Sequence, residues 1–537
     1  MALGLSALVA CVGGEQTPAA DGELASEEPI ARGGDYYQEP HRPQLHFTPE
    51  RAWMNDPNGL VFHGGKYHLF YQHNPDSNVW GPMHWGHATS TDLVQWDHQP
   101  IALAPDERGA IFSGSVVVDR ANTAGFGGSL DNPALVAVFT YHDHAGEDAG
   151  RDDFQTQGLA YSLDGGTTWT KYAGNPVLPN AEGLRDFRDP KVIWHAPSER
   201  WVMALAARDH VRFYTSPDLK AWTYASSFGE GAGSHGGIWE CPDLFPLREE
   251  GSGTERYVLI VSVQDGAPAG GTGTSYFVGD FDGVAFRATD GAREPLWLDY
   301  GADNYALVTF ADAPLPDTRR LGIGWMSNWR YAQAVPTEAW RSAMTTPRVL
   351  TLRETPAGWR VRQARVPDLF GYRARRAEIN RGSALKPTNL TPALTAWDDA
   401  PVEIVVPTPG GAVPDFAFRK TFAGGDTLTF GYDAAAQQYF VDRSGLASAT
   451  FDEDYAARHE APRKTYAQGE RIRILVDRSS VELFADDGFT VLTDTYYAGG
   501  APERFALLGE TDLTITIHEL RAALPTPGSV ARARLGL

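Results

Sequence analysis

Short apolar and alternating runs at 67–71, 134–141, 201–206 and 257–263 have the patterning of β-strands, and each is followed by a polar turn that closes on an aromatic residue. The turns are Ser90-Thr91-Asp92-Leu93-Val94-Gln95-Trp96, Ser162-Leu163-Asp164-Gly165-Gly166-Thr167-Thr168-Trp169, Ser216-Pro217-Asp218-Leu219-Lys220-Ala221-Trp222 and, more weakly, 278–286 ending on Phe286. Their closing aromatics lie roughly 50 to 75 residues apart, the length of one four-stranded sheet in a repeated array. A fifth unit at 305–310 and 320–328 would close a ring, so the pattern predicts a five-bladed β-propeller over 41–357. Residues 358–378 then read as a connector. Alternating strands such as 427–432 and 471–478 predict a C-terminal β-sandwich over 379–525, with 1–40 as a leader and tether and 526–537 as a tail. The expected fold class is all-β.

Composition agrees and narrows the partners. A chain of 537 residues needs more than one core, and its 56 Gly, 36 Pro and 61 aromatic residues (15 Trp, 21 Tyr, 25 Phe) suit many short strands and turns. A net charge of −22 repels phosphate, which argues against nucleic acid or an anionic membrane as partner and leaves neutral sugars compatible. No protein partner is indicated. No run reaches the roughly 18 apolar residues of a membrane span. Leu8-Val9-Ala10-Cys11 resembles a bacterial lipobox, although no Lys or Arg precedes the apolar run. The expectation is an exported protein at the cell surface or in the periplasm, lipid-anchored through Cys11, or otherwise secreted.

The candidate chemistry starts at Trp53-Met54-Asn55-Asp56-Pro57-Asn58-Gly59. Pro57 fixes the backbone after Asp56, and Asn58-Gly59 tolerate left-handed geometry, so a rigid turn is expected to present the Asp56 carboxylate in one direction. With its flanks, from His46-Phe47-Thr48-Pro49 to the strand 66–72, this stretch resembles the opening signature of glycoside hydrolase family 32, the invertases, inulinases and levanases. Phe187-Arg188-Asp189-Pro190 and Trp239-Glu240-Cys241-Pro242-Asp243 resemble the family's other two hallmarks and follow in the same order. The blade pattern independently puts all three on innermost strands.

The resemblance implies retaining hydrolysis of terminal β-D-fructofuranosyl residues from levan or inulin, and of sucrose. Asp56 would be the nucleophile, Glu240 the general acid and base, and Asp189 the transition-state stabiliser. A polar turn donating backbone N–H groups is expected to keep Asp56 ionised, and the flanking Trp239 and Cys241 to desolvate Glu240 and raise its pKa. By the same resemblance Arg188, Asn55 and Gln72 would hold hydroxyls, Trp53, Trp80 and Trp329 would wall the fructose ring, Phe112 and Ser113 would contact it, and Asp303 would reach the site or hold a turn. Glu482, in the sandwich, reads as structural. His142-Asp143-His144 and 452–459 lack recognisable metal-ligand spacing and read as solvated loops. The reaction requires neither cofactor nor metal. The alternatives are a dedicated invertase or a fructosyltransferase, and, from another class, a non-catalytic fructan-binding protein.

Overall fold

The structure is a computed structural model that describes residues 37–129, 131–289, 294–381, 387–394, 400–509 and 512–524. The expected lipobox, most of the tether and the tail lie outside the described residues. Within them the chain is almost wholly β, and the one α-helix is the five-residue His144–Asp148. None of these helices is long and apolar enough to cross a membrane.

Five antiparallel sheets follow one another between Ala52 and Arg365. Their first strands are Ala52–His63, Ala110–Asp119, Phe187–His195, Trp239–Arg248 and Tyr305–Thr309, and these touch one another in cyclic order around a common axis. This is a β-propeller. Trp340–Arg341, from the fifth sheet's region, pairs with Ala52 and Trp53 and clasps the last sheet to the first. The second strand of the second sheet, Ala134–His142, is buried at every position because sheets cover both of its faces, which is why its sequence is continuously apolar rather than alternating. The Asp turns are local devices: one oxygen of Asp92 accepts from the N–H groups of Val94 and Gln95, and Asp218 does the same for Lys220 and Ala221, as does Asp282 for Val284 and Ala285.

One irregularity recurs in every sheet. Each innermost strand carries a β-bulge against its neighbour, with two residues facing one: Asn55 and Asp56 against Gln72, Phe112 and Ser113 against Thr140, Asp189 and Pro190 against Leu205, Cys241 and Pro242 against Val261, and Ala306 and Leu307 against Gly324. A bulge frees backbone groups from the ladder and re-aims side chains. Here the freed N–H groups are taken up by the preceding sheet: Asp189 N–H by Thr140 Oγ1 at 3.0 Å, Cys241 N–H by Asp189 Oδ2 at 3.0 Å, and Ala306 N–H by Ser262 Oγ at 3.0 Å. The expected turn at 55–59 is therefore continuous strand with two bulges. Gly59 has φ +54°, and a Cβ there would lie 2.8 Å from Phe70 and 2.9 Å from Val116, so glycine is required at the second of them.

After a 3-10 turn at Pro367–Tyr372, two six-stranded sheets form a sandwich around a single apolar core. Buried charges join it to the propeller. Arg348 donates to Asp299 Oδ2 at 2.9 Å and to Glu482 Oε2 at 2.8 Å, and His46 lies 2.8 Å from Asp477 and 2.9 Å from Glu482. Burial alone would lower the His46 pKa, but its bonds to the two carboxylates outweigh burial and raise it to about 9. Burial would raise Glu482, but Arg348 and His46 bring it down to about 2. The His46 contribution to stability is thus complete below its ordinary 6.5 and lost as pH rises through about 9; that of Glu482 is complete above 4.5 and lost as pH falls towards 2. Thermal melts are expected to peak between about pH 4.5 and 6.5 and to decline towards pH 9, with a shallower alkaline decline in His46→Gln. An equal decline in that variant would remove His46 as its source.

Candidate active site

Side chains carried by the bulges of the first four sheets meet in one cluster. Asp56 is buried. Its Oδ2 accepts from Ser113 Oγ at 2.9 Å and faces the Cys241 thiol at 3.6 Å, while its Oδ1 is buried without a hydrogen-bond partner. The same thiol lies 3.7 Å from Asp189 Oδ2, so one sulfur spans two carboxylates. Arg188 donates to Glu240 Oε1 through Nη2 at 2.9 Å and Nε at 3.2 Å, and to Asp186 at 2.6 Å. The Tyr305 hydroxyl donates to Glu240 Oε2. Asp189 and Cys241 are held at φ +66° and +46°, backbone geometry that non-glycine residues adopt at a cost and that here aims their side chains inward.

Crowding three carboxyl groups in a dry site has a price in charge. Burial first, and the Glu240 charge second, raise Asp56 to about 6 against the opposing bonds from Ser113, Asn55 and Cys241. Burial also lifts Asp189; Arg188 opposes it, and Glu240 and Asp56 reinforce it. Burial and the surrounding carboxylates push the Cys241 thiol well up, so it stays protonated and can donate to Asp56. Around this cluster stands an aromatic wall. Trp329 is half-buried and stacks on Trp53 at 5.8 Å, and Trp80 meets Phe112 edge-on at 6.0 Å. A separate cavity of about 560 Å³ at the far end of the axis, lined by Val118, Lys191, Trp194, Phe245 and Arg320 among others, contains none of the three carboxylates.

Residues 46–363 match the model of the glycosyl hydrolases family 32 N-terminal domain, and 373–521 that of the family's C-terminal domain. The chain belongs to glycoside hydrolase family 32. It is 46% identical to a levanase of Bacillus subtilis, over 91% of this chain and 72% of the relative, and 38% identical to the extracellular exo-inulinase of Aspergillus ficuum, over 90% and 95%. Among solved structures it is similar to an exo-inulinase from Aspergillus awamori (TM-score 0.79, 32% identity, 91% and 99% coverage). It is also similar to a β-fructofuranosidase from Schwanniomyces occidentalis complexed with fructosyl-erythritol (TM-score 0.78, 30% identity, 90% and 98% coverage).

In this family 32 chain the structure brings together Asp56, Asp189, Glu240, Arg188, Ser113, Phe112, Trp80 and Trp329 and revises other expectations. Trp53 has no exposed surface: it backs Trp329 and donates to Asn55 Oδ1 at 2.7 Å, so it supports the wall rather than forming it. Gln72 is buried, with its amide donating to the Ile111 carbonyl at 3.0 Å, which ties the first sheet to the second. Asp303 is fully buried at the sandwich, where Tyr331, Arg443 and Thr495 hold it, and takes no part in the site. The apolar jacket expected around Glu240 is absent, because Trp239 packs with Phe277 and donates to Ser234 O on the other side of the strand. Asp56 likewise receives a hydroxyl and a thiol rather than the N–H groups of a turn. Sequence reasoning missed Tyr305 and the thiol of Cys241; the one signal for either was its position beside a matched motif.

Proposed function

We propose that this family 32 glycoside hydrolase is an exo-acting, retaining β-fructosidase that releases terminal fructose from fructans and also cleaves sucrose. One observation carries the reading: Asp56 has one oxygen anchored and the other buried and unpartnered, in a cluster with Asp189 and Glu240 beside an aromatic wall. The levanase and exo-inulinase names of its relatives support the substrate class. The Asp56 carboxylate attacks the anomeric carbon of a terminal fructosyl unit while Glu240 passes a proton to the leaving oxygen. A fructosyl ester on Asp56 forms, and water activated by Glu240 then resolves it with net retention. Asp189 binds ring hydroxyls and faces the positive charge of the oxocarbenium-like transition state. Arg188 and Tyr305 fix the Glu240 carboxyl, and Cys241 and Ser113 hold the Asp56 carboxylate through Oδ2. The propeller within 41–357 does the chemistry, and the sandwich within 379–525 braces it.

The extracellular name of a relative supports export, with Cys11 as the anchor point. The test is product analysis on levan, inulin and sucrose side by side. Free fructose as the first product from all three is expected. A ladder of oligosaccharides would overturn the exo mode, longer sugars would indicate transfer, and cleavage of sucrose alone would indicate an invertase.

A further inference from the structure

At the rim of the pocket the strand Ala134–His142 ends, Asp143 caps the short helix His144–Asp148, and three potential ligands meet: the nitrogens of His142 and His144 and a carboxylate oxygen of Glu147, all within 4.8 Å of one another. The spacing His-x-His-x-x-Glu is unremarkable along the sequence, and the change from strand to helix brings the three together. His142 is 4% exposed. Its Nε2 is buried without a hydrogen-bond partner, although Glu147 Oε2 lies 3.0 Å away, so the two atoms face each other without a shared proton in line. A buried ring nitrogen left unsatisfied is costly unless a partner takes it up.

From this arrangement we infer a divalent transition-metal site formed by His142 Nε2, His144 and Glu147. Two imidazoles and one carboxylate are a donor set suited to zinc, with a fourth position left to water, and they disfavour the all-oxygen shells of calcium or magnesium. Zinc at about 2.0–2.1 Å from each ligand needs ligand atoms roughly 3.3 Å apart, so the widest pair closes by at most about 1.5 Å. His144 and Glu147 are partly exposed on a short segment and can make that movement. An outer partner is also present: Gln155 lies 3.1 Å from His142 Nδ1. In the structure Gln155 Nε2 faces Nδ1 and its Oε1 accepts from Arg188 Nη1 at 3.4 Å; turning the amide exchanges that long bond for one accepted from Nδ1–H and leaves the other ring nitrogen free for metal. Gln155 thus lies between His142 and Arg188, which holds Glu240, and His142 stacks on Phe112 at 4.2 Å, so the ion would sit near both the acid–base group's support and the substrate wall.

The experiment is zinc calorimetry on the EDTA-treated full chain, with cobalt absorption as the second readout. One saturable equivalent is expected, with visible bands of low-symmetry cobalt. Glu147→Gln is expected to weaken binding at least tenfold, and His144→Ala to abolish that equivalent. No saturable binding below millimolar zinc, or one equivalent bound unchanged in both variants, would overturn the site.

Discussion

Asp56→Asn is expected to lower kcat on sucrose and on fructans by on the order of 10⁴-fold with the fold intact, because the amide keeps the shape of the carboxylate and removes the attacking electron pair. The neighbouring bonds predict an undisturbed pocket: Ser113 can still donate to the amide oxygen at the anchored position. The comparison therefore isolates chemistry from packing. In the wild type, kcat/KM is expected to fall on the acid side near pH 6, because burial and Glu240 raise Asp56 to about 6 and only its ionised form attacks. Full circular dichroism with a kcat within 100-fold of wild type would reject Asp56 as nucleophile.

The second large effect concerns stability. Arg348 is fully buried and donates to Asp299, Gln363, Glu482 and Thr493, so it joins a propeller strand to a sandwich strand through four acceptors. Arg348→Met would leave Asp299 as a buried charge without its counter-ion and Glu482 with His46 as its remaining cation, at a cost of about 3–5 kcal/mol. A lowered melting temperature with earlier loss of activity on heating is expected. Arg348→Met combined with Glu482→Gln should be less destabilised than the sum of the single changes, because the two residues share one interaction. Strict additivity of the melts would show that the pair does not couple.

Features set by neighbours along the chain were legible in the sequence. An Asp that accepts from N–H groups two and three positions ahead is a local event, so the turns at Asp92, Asp218 and Asp282 could be read as structural. The three hallmark carboxylates were legible as motifs in order. What failed depended on partners outside the local stretch. Asp303 sits in a segment that matches the family beside the site, yet Arg443, 140 positions later, claims it. Asn-Asp-Pro-Asn-Gly has the composition of a hairpin turn, and only pairing with 70–74 makes it a bulged strand. Trp53 and Trp329 are both tryptophans in matched motifs, and no local signal says which stands in front. The expected packing of Trp239 on Glu240 failed for a related reason: neighbours in sequence on a strand point to opposite faces, so Trp239 packs with Phe277 instead.

Because strand side chains alternate with a period of two, an inserted residue exchanges one face of the sheet for the other beyond it, and each innermost strand makes that exchange at its bulge. Deleting one bulge residue would therefore not simply shorten a strand. It would restore a regular ladder and reverse the facing of every later side chain in that strand, moving Leu244, for example, from the core shared with the third sheet to the one that Phe245 shares with the fifth. Insertions and deletions are thus barred from these five short stretches for reasons of parity alone, whereas the loops joining the outer strands can vary in length without disturbing the chemistry.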